Sequence, residues 1–269
     1  MARRMRVDAE LVRRGLARSR QQAAELIGAG RVSIDGMPAS KPATAVTAET
    51  TLKVADVGER SWVSRGAHKL IGALDVFGID VGGRRCLDAG ASTGGFTEVL
   101  LDRGAREVVA VDVGYGQLAW PLRSDERVVV VERTNVRELT PETIGGQVDL
   151  VVADLSFISL ATVLPALAAC AAESADIVPM VKPQFEVGKG QVGAGGVVQD
   201  PALRTSAVLS VARRAADLRW YTMAATASPL PGPSGNVEYF LWLRSDPERA
   251  LHDQQLEAAI ARSVDEGPQ

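Results

Sequence analysis

The sequence predicts an α/β fold: a parallel sheet with right-handed crossovers, preceded by a small basic α+β module. Three observations carry this expectation. Apolar runs at Arg84–Asp88, Glu107–Gly114, Arg127–Glu132, Val148–Asp154 and Ile177–Pro183 are interleaved with helical stretches, the pattern of repeated βα units. The first of these runs enters a glycine-rich turn and then a second apolar stretch, Phe96–Leu101, which reads as strand, turn and helix. The first 31 residues carry Arg3, Arg4, Arg6, Arg13, Arg14, Arg18, Arg20 and Arg31 against Asp8, Glu10 and Glu25, although the whole chain has a formal charge of −3.

The turn is the organising feature. It reads D-A-G-A-S-T-G-G from Asp88 to Gly95. Glycine takes positive φ and lets a ligand approach the backbone, and the helix that follows offers unpaired N–H groups. A dinucleotide fingerprint would need G-x-G-x-x-G, whereas the spacing here is D-x-G-x-x-x-G. The second strand ends on Asp112, about 20 residues on, where a carboxylate accepts ribose hydroxyls. Acidic residues at both strand ends and no basic residue in the loop point to a ligand with a nucleoside and no phosphates. S-adenosylmethionine fits that description. Its contacts are expected from Asp88, Gly90, Ala91, Ser92, Thr93, Gly94 and Phe96, with Asp112 on the ribose and Asn135, past the third strand, near the adenine.

Composition excludes several classes. The 269 residues are 46% hydrophobic, as in an ordinary water-soluble protein, and allow one large domain or two unequal ones. No signal peptide is visible. The longest apolar run, Leu150–Ala172, is broken by Asp154 and Pro165 and reads as strand, loop and buried helix, so no membrane association is expected. Cys86 and Cys170 lie in apolar runs as buried thiols, and with His68 and His252 the only histidines, no metal site is expected. A cytoplasmic monomer follows by default.

In the basic module, Val7–Gly30 reads as two short helices, broken at Gly15–Leu16, with Ser19 capping the second. Val32–Ile34 alternates as a strand, Asp35-Gly36 is a hairpin turn signal, and Thr51–Val54 is another strand. The stretch R-V-D-A-E-L-V-R-R-G-L-A-R-S-R-Q-Q-A-A-E-L-I-G-A-G-R-V-S-I-D-G resembles the S4-type RNA-binding domain over roughly residues 5–55. The resemblance implies that Arg4, Arg6, Arg18, Arg20 and Lys41 contact RNA phosphates, which position a protein without reading sequence. Domains are therefore expected at 1–59 (S4-type), 60–63 (linker, anchored by Trp62 and Val63) and 64–269.

Beyond the linker, His68–Phe77 reads as a helix with Leu70, Ile71, Leu74 and Phe77 on one face, and Val237–Leu243 as a late strand with Glu238 at its start. The tail, Ser245–Gln269, reads as a polar helix with a loose end. Once the cofactor is placed, Lys69, Asp154, Lys182 and Glu238 are left over. This set resembles the Lys-Asp-Lys-Glu tetrad of ribose 2′-O-methyltransferases. The phrases S-R-G-A-H-K-L, D-A-G-A-S-T-G-G-F-T, V-A-D-L-S-F-I-S-L, V-K-P-Q-F-E-V-G and G-P-S-G-N-V-E-Y-F-L resemble the TlyA, or haemolysin A-like, family over nearly the whole chain.

That resemblance implies a Rossmann-like class I methyltransferase sheet and transfer of methyl from S-adenosylmethionine to cytidine 2′-hydroxyls in ribosomal RNA of both subunits. Because a ribose hydroxyl is a poor nucleophile, a base is needed, and Lys182 is expected to fill that role, with Asp154 and Glu238 orienting it and Lys69 helping to place the hydroxyl. Arg65, Arg133, Arg137 and Lys189, on or beside the strand-end loops, are expected to hold RNA phosphates around the target. Three rival readings are a membrane-active haemolysin, which needs a strongly amphipathic or spanning segment, a ribosome assembly factor that binds RNA without catalysis, and a small-molecule or protein methyltransferase, which the basic N-terminal module disfavours.

Overall fold

The computed structural model describes residues 4–55 and 62–268, with the side chains of Lys189 and Ala194 also outside the description. Arg60 and Ser61 of the expected linker lie outside it too; Trp62 and Val63 are half-buried. The chain divides into two units, Met1–Ala67 and His68–Gln269.

In the first unit, β1 (Met5–Arg6), α1 (Val7–Arg13) and α2 (Arg20–Gly28) precede β2 (Val32–Ile34), β3 (Met37–Pro38), β4 (Ala45–Val46) and β5 (Leu52–Val54). Strands β3, β2 and β5 form one small antiparallel sheet, and β1 pairs with β4. The two helices fall where expected. Gly15 takes φ +72° between them, and Ser19 Oγ accepts from the Gln22 N–H at 3.1 Å. Asp35 and Gly36 both take positive φ, as a two-residue hairpin turn requires. Val7, Leu11, Ala23, Ile27, Val32, Val46 and Leu52 make a small core. Arg14 ties α1 to the 47–50 turn by donating to the carbonyls of Thr47, Ala48 and Thr50.

Helix α3 (Gly66–Phe77) begins at the end of the first unit and leads into the second. The second unit continues through β6 (Arg85–Ala89), α4 (Gly95–Asp102), β7 (Glu107–Val111), α5 (Trp120–Arg123), β8 (Val128–Val131), β9 (Val148–Ala153), α6 (Leu160–Cys170), β10 (Ala171–Val181), α7 (Pro183–Glu186), α8 (Pro201–Asp217), β11 (Tyr221–Ala227), β12 (Tyr239–Arg244) and α9 (Asp253–Glu266). The seven strands lie in the order β11-β12-β10-β9-β6-β7-β8. Strand β12 runs against both of its neighbours, and the pairs from β10 to β8 are all parallel. The sheet is thus mostly parallel. The order reverses beside β6, between β7 and β9, which places the glycine turn at the switch point where α/β sheets bind ligands.

Both faces are covered. Along β12, Tyr239, Leu241 and Leu243 join the core beneath α6, α8 and α9, while on alternate positions Phe240 meets Phe96 of α4 and Trp242 meets Phe77 of α3. Pro165 sits inside α6 without ending it.

The strictly parallel expectation needs one correction. Strand β11 follows α8, and after the 228–238 loop the chain returns alongside it as β12, with Ala227 opposite Tyr239, so β12 is antiparallel. The late strand begins at Tyr239 rather than Val237, leaving Glu238 in the turn just before it. Because β12 runs backwards, its start lies at the carboxyl ends of the other strands.

Candidate active site

The glycine turn is tightly built. Gly90 has φ +89°, and a Cβ there would come within 2.4 Å of the Asp154 carbonyl oxygen. Gly94 caps α4 at φ +100°, where a Cβ would strike Leu118 and Leu122. Ser92, between them, takes φ +49°. Its N–H donates to Asp112 Oδ2 at 2.8 Å, and the Gly114 N–H donates to Asp112 Oδ1 at 2.7 Å. Asp112 therefore braces the turn, and each of its oxygens keeps a second lone pair for a ligand hydroxyl. A turn so placed, edged by the half-buried Asp112 carboxylate, fits the nucleoside end of S-adenosylmethionine.

The other cofactor candidates divide by position. Asp88 is fully buried; Thr97 Oγ1 donates to its Oδ2 at 2.7 Å, and burial pushes its carboxyl up to about 7. It supports the turn from behind. Phe96 is buried with its ring tilted against Phe240. Ala91 is buried, Thr93 half-buried with its carbonyl accepting from the Ala119 N–H, and Asn135 is exposed, its Oδ1 accepting from the Arg137 N–H.

The four leftover polar groups come together as two ion pairs. Lys182 leaves the end of β10 and its Nζ lies 2.6 Å from Asp154 Oδ1, at the end of β9, and 3.0 Å from Ser156 Oγ. Lys69 of α3 pairs with Glu238. The register sets Val181 opposite Tyr239, so Lys182 and Glu238 are cross-strand neighbours. Three of the four are nearly closed to solvent: Lys69, Lys182 and Glu238 are 7%, 8% and 1% exposed. A lysine and a carboxylate buried together need each other, because either alone would be an uncompensated charge.

The basic residues are spread more widely. Arg4, Arg6, Arg18, Arg20 and Lys41 are exposed on the first unit. Arg6 and Arg20 both donate to buried Asp8, and the Arg6 hydrogen bonds hold that carboxyl at about 2. The stem of Arg65 lies against the Gly36 turn. In the second unit Arg133 is exposed and stacks its guanidinium 4.3 Å from the Tyr115 ring centre, Arg137 is exposed on a 3₁₀ turn, and Lys189 begins another.

A model of the FtsJ-like methyltransferases matches residues 62–245. The chain belongs to the FtsJ-like methyltransferase family. An S4 domain model matches residues 5–52 of this FtsJ-like protein. The 16S/23S rRNA (cytidine-2′-O)-methyltransferase TlyA of Mycobacterium tuberculosis is 75% identical over 268 residues, 100% of both chains. Hemolysin A of Brachyspira hyodysenteriae is 36% identical over 236 residues, 87% of this chain and 98% of that one. Among solved structures, a Streptococcus thermophilus protein with a hemolysin name is 35% identical, covers 99% of this chain and 98% of its own, and superposes with a TM-score of 0.75.

Sequence reasoning gave no role to two polar residues of this FtsJ-like protein, one beside Lys182 and one at the start of α6. Ser156 and Glu186 both stand inside quoted phrases, V-A-D-L-S-F-I-S-L and V-K-P-Q-F-E-V-G, without a role. Their partners, Lys182 and the Ser159–Leu160 helix start, are 26 or 27 residues away, a distance no local pattern reveals. Among the described residues no helix is long and apolar enough to cross a membrane, and no cluster of three or more His, Cys, Asp or Glu side chains is placed to hold a metal ion.

Proposed function

We propose that this chain transfers the methyl group of S-adenosylmethionine to the 2′-hydroxyl of cytidines in ribosomal RNA of the small and large subunits. The observation that carries the reading is the paired arrangement Lys182–Asp154 and Lys69–Glu238 beside the glycine turn. Full-length identity of 75% to a relative named for that reaction supports it.

Bound S-adenosylmethionine supplies a methyl group made electrophilic by the sulfonium. The Gly90–Gly94 backbone would hold it, Asp112 would accept from its ribose hydroxyls, and Asn135 would lie by the adenine. A ribose hydroxyl is a poor nucleophile, so alignment and proton removal are what the protein must provide. Lys182 Nζ, as the free amine, takes the proton from the 2′-oxygen. Asp154 and Ser156 fix the direction of that nitrogen. Lys69, held by Glu238, donates to the same oxygen and places it.

Residues 1–59 would form the S4-type RNA-binding domain, 60–63 the linker and 64–269 the methyltransferase domain of a cytoplasmic monomer. Arg4, Arg6, Arg18, Arg20 and Lys41 on the first domain, with Arg65, Arg133, Arg137 and Lys189, would neutralise RNA phosphates. The test is transfer of labelled methyl from S-adenosylmethionine to isolated subunits lacking the modification. Label in RNA with wild type and none with Lys182→Ala is expected. No label with either would leave an RNA-binding protein without catalysis.

A further inference from the structure

We infer that Glu186 is a positioning residue for the methyl transfer, latching together the two segments that carry Lys182 and Asp154. The inference rests on the reading of Lys182 as base. After β9 the chain runs Asp154-Leu155-Ser156-Phe157-Ile158-Ser159 into α6, and after β10 it runs Lys182-Pro183-Gln184-Phe185-Glu186. Three cross-links join them in order. Lys182 meets Asp154 and Ser156 at one end. The rings of Phe157 and Phe185 lie 5.3 Å apart in the middle. At the far end Glu186 accepts from Ser159 Oγ at 2.7 Å and from the Leu160 N–H at 2.8 Å.

Glu186 stands one helical turn after Lys182. The turn is stiffened by Pro183 and closed by the Phe185 N–H on the Lys182 carbonyl and the Val187 N–H on that of Pro183. A displacement at residue 186 is therefore passed to residue 182. The Leu160 N–H and Ser159 hydroxyl fix the other segment at the start of α6, an eleven-residue helix packed in the core. The carboxylate itself is half-buried, and that burial raises its pKa, a cost that the two donors offset. The groups facing Lys182 are Asp154, Ser156 and, across the strand register, Glu238 with its partner Lys69.

The test compares wild type, Glu186→Ala, Glu186→Gln and Lys182→Ala in methyl transfer to ribosomal subunits across pH, with the folded fraction of each measured by thermal unfolding. Glu186→Ala should lose about tenfold in kcat with little change in KM for S-adenosylmethionine or RNA, since a misplaced reacting group costs rate more than binding. The pH at which its kcat rises should be displaced, because the Lys182–Asp154 distance is no longer held. Glu186→Gln, which keeps one accepting oxygen, should fall between. Wild-type kcat in both variants overturns the proposal, as does a loss of rate matched by loss of folded protein with an unmoved pH profile. Should Glu186→Ala not fold, Glu186→Gln alone decides by the same two readouts. Full activity in Lys182→Ala would refute the assignment of the base instead.

Discussion

Lys182 and Asp154, on the ends of adjacent parallel strands, meet at 2.6 Å with the lysine almost wholly shielded from water. The pair holds a nitrogen in one direction at the carboxyl ends of β9 and β10, next to the switch point of the sheet. Lys182→Ala should therefore lower methyl transfer by about 10²–10⁴-fold, the range for removal of a positioned acid or base. Binding of S-adenosylmethionine, followed by calorimetry, should persist in this variant. An unchanged rate across pH would remove Lys182 from the proton transfer.

The second pair lies deeper, with side-chain exposures of 8% for Lys69 and 2% for Glu238. Replacing Glu238 by Gln leaves the Lys69 ammonium buried without an anion, which costs about 3–5 kcal/mol. Asp154→Asn should cost less, because Lys182 keeps the Ser156 hydroxyl as a partner at 3.0 Å. Urea unfolding of the two variants checks the order. Equal small losses would mean that the Lys69–Glu238 pair is not desolvated.

Gly90 is constrained twice, by φ +89° and by the Asp154 carbonyl 2.4 Å from where a Cβ would stand. Gly90→Ala should push the turn and the end of β9 apart, weakening S-adenosylmethionine binding by about tenfold or more, given roughly 1–2 kcal/mol for the left-handed backbone alone. Calorimetric titration with the cofactor is the check.

The turn was legible because its chemistry is local: strand, glycines, helix and the carboxylate on the next strand all show in sequence order. Asp154 and Lys182 were legible for the same reason, each closing an apolar run. Lys69 was promoted only through resemblance. Glu238 was read at the start of a strand, which in a wholly parallel sheet would lie at the edge away from the ligand. Its side chain reaches the site because β12 runs backwards, which depends on β11, and Y-T-M-A-A-T-A is too rich in alanine and threonine to stand out as a strand. The boundary between α6 and β10, Cys170 to Ala171, has no glycine or proline to mark it.

Asp88 gives the methyltransferase unit a pH signature. Burial, with smaller contributions from the charges of Asp154 and Asp112, raises its carboxyl from 3.8 to about 7, and the Thr97 hydrogen bond opposes the rise. Below about pH 3.8 the group is protonated in both folded and unfolded chains. Between there and about 7 the unfolded chain ionises while the folded one does not, so this group's contribution to stability falls as pH rises through that window. The full loss is on the order of 4 kcal/mol. Asp88→Asn keeps a side-chain oxygen for Thr97 and should flatten the dependence. Urea unfolding at about pH 5 and about pH 8 would show it; an identical slope in variant and wild type would place the titration elsewhere.

Arg6 and Arg20 present a different kind of pair, two half-exposed guanidiniums on one buried carboxylate, Asp8. Each uses Nε and Nη2 on Asp8, which directs the remaining N–H groups outward. If each meets one RNA phosphate, replacing either by alanine should lower the slope of log affinity against log salt by roughly 0.7–0.9. The loss should be the same across RNA sequences, since phosphates carry none. Binding to ribosomal subunits over a salt series measures both quantities. An unchanged slope in the double variant Arg6→Ala/Arg20→Ala would mean that this face of the first unit does not meet RNA.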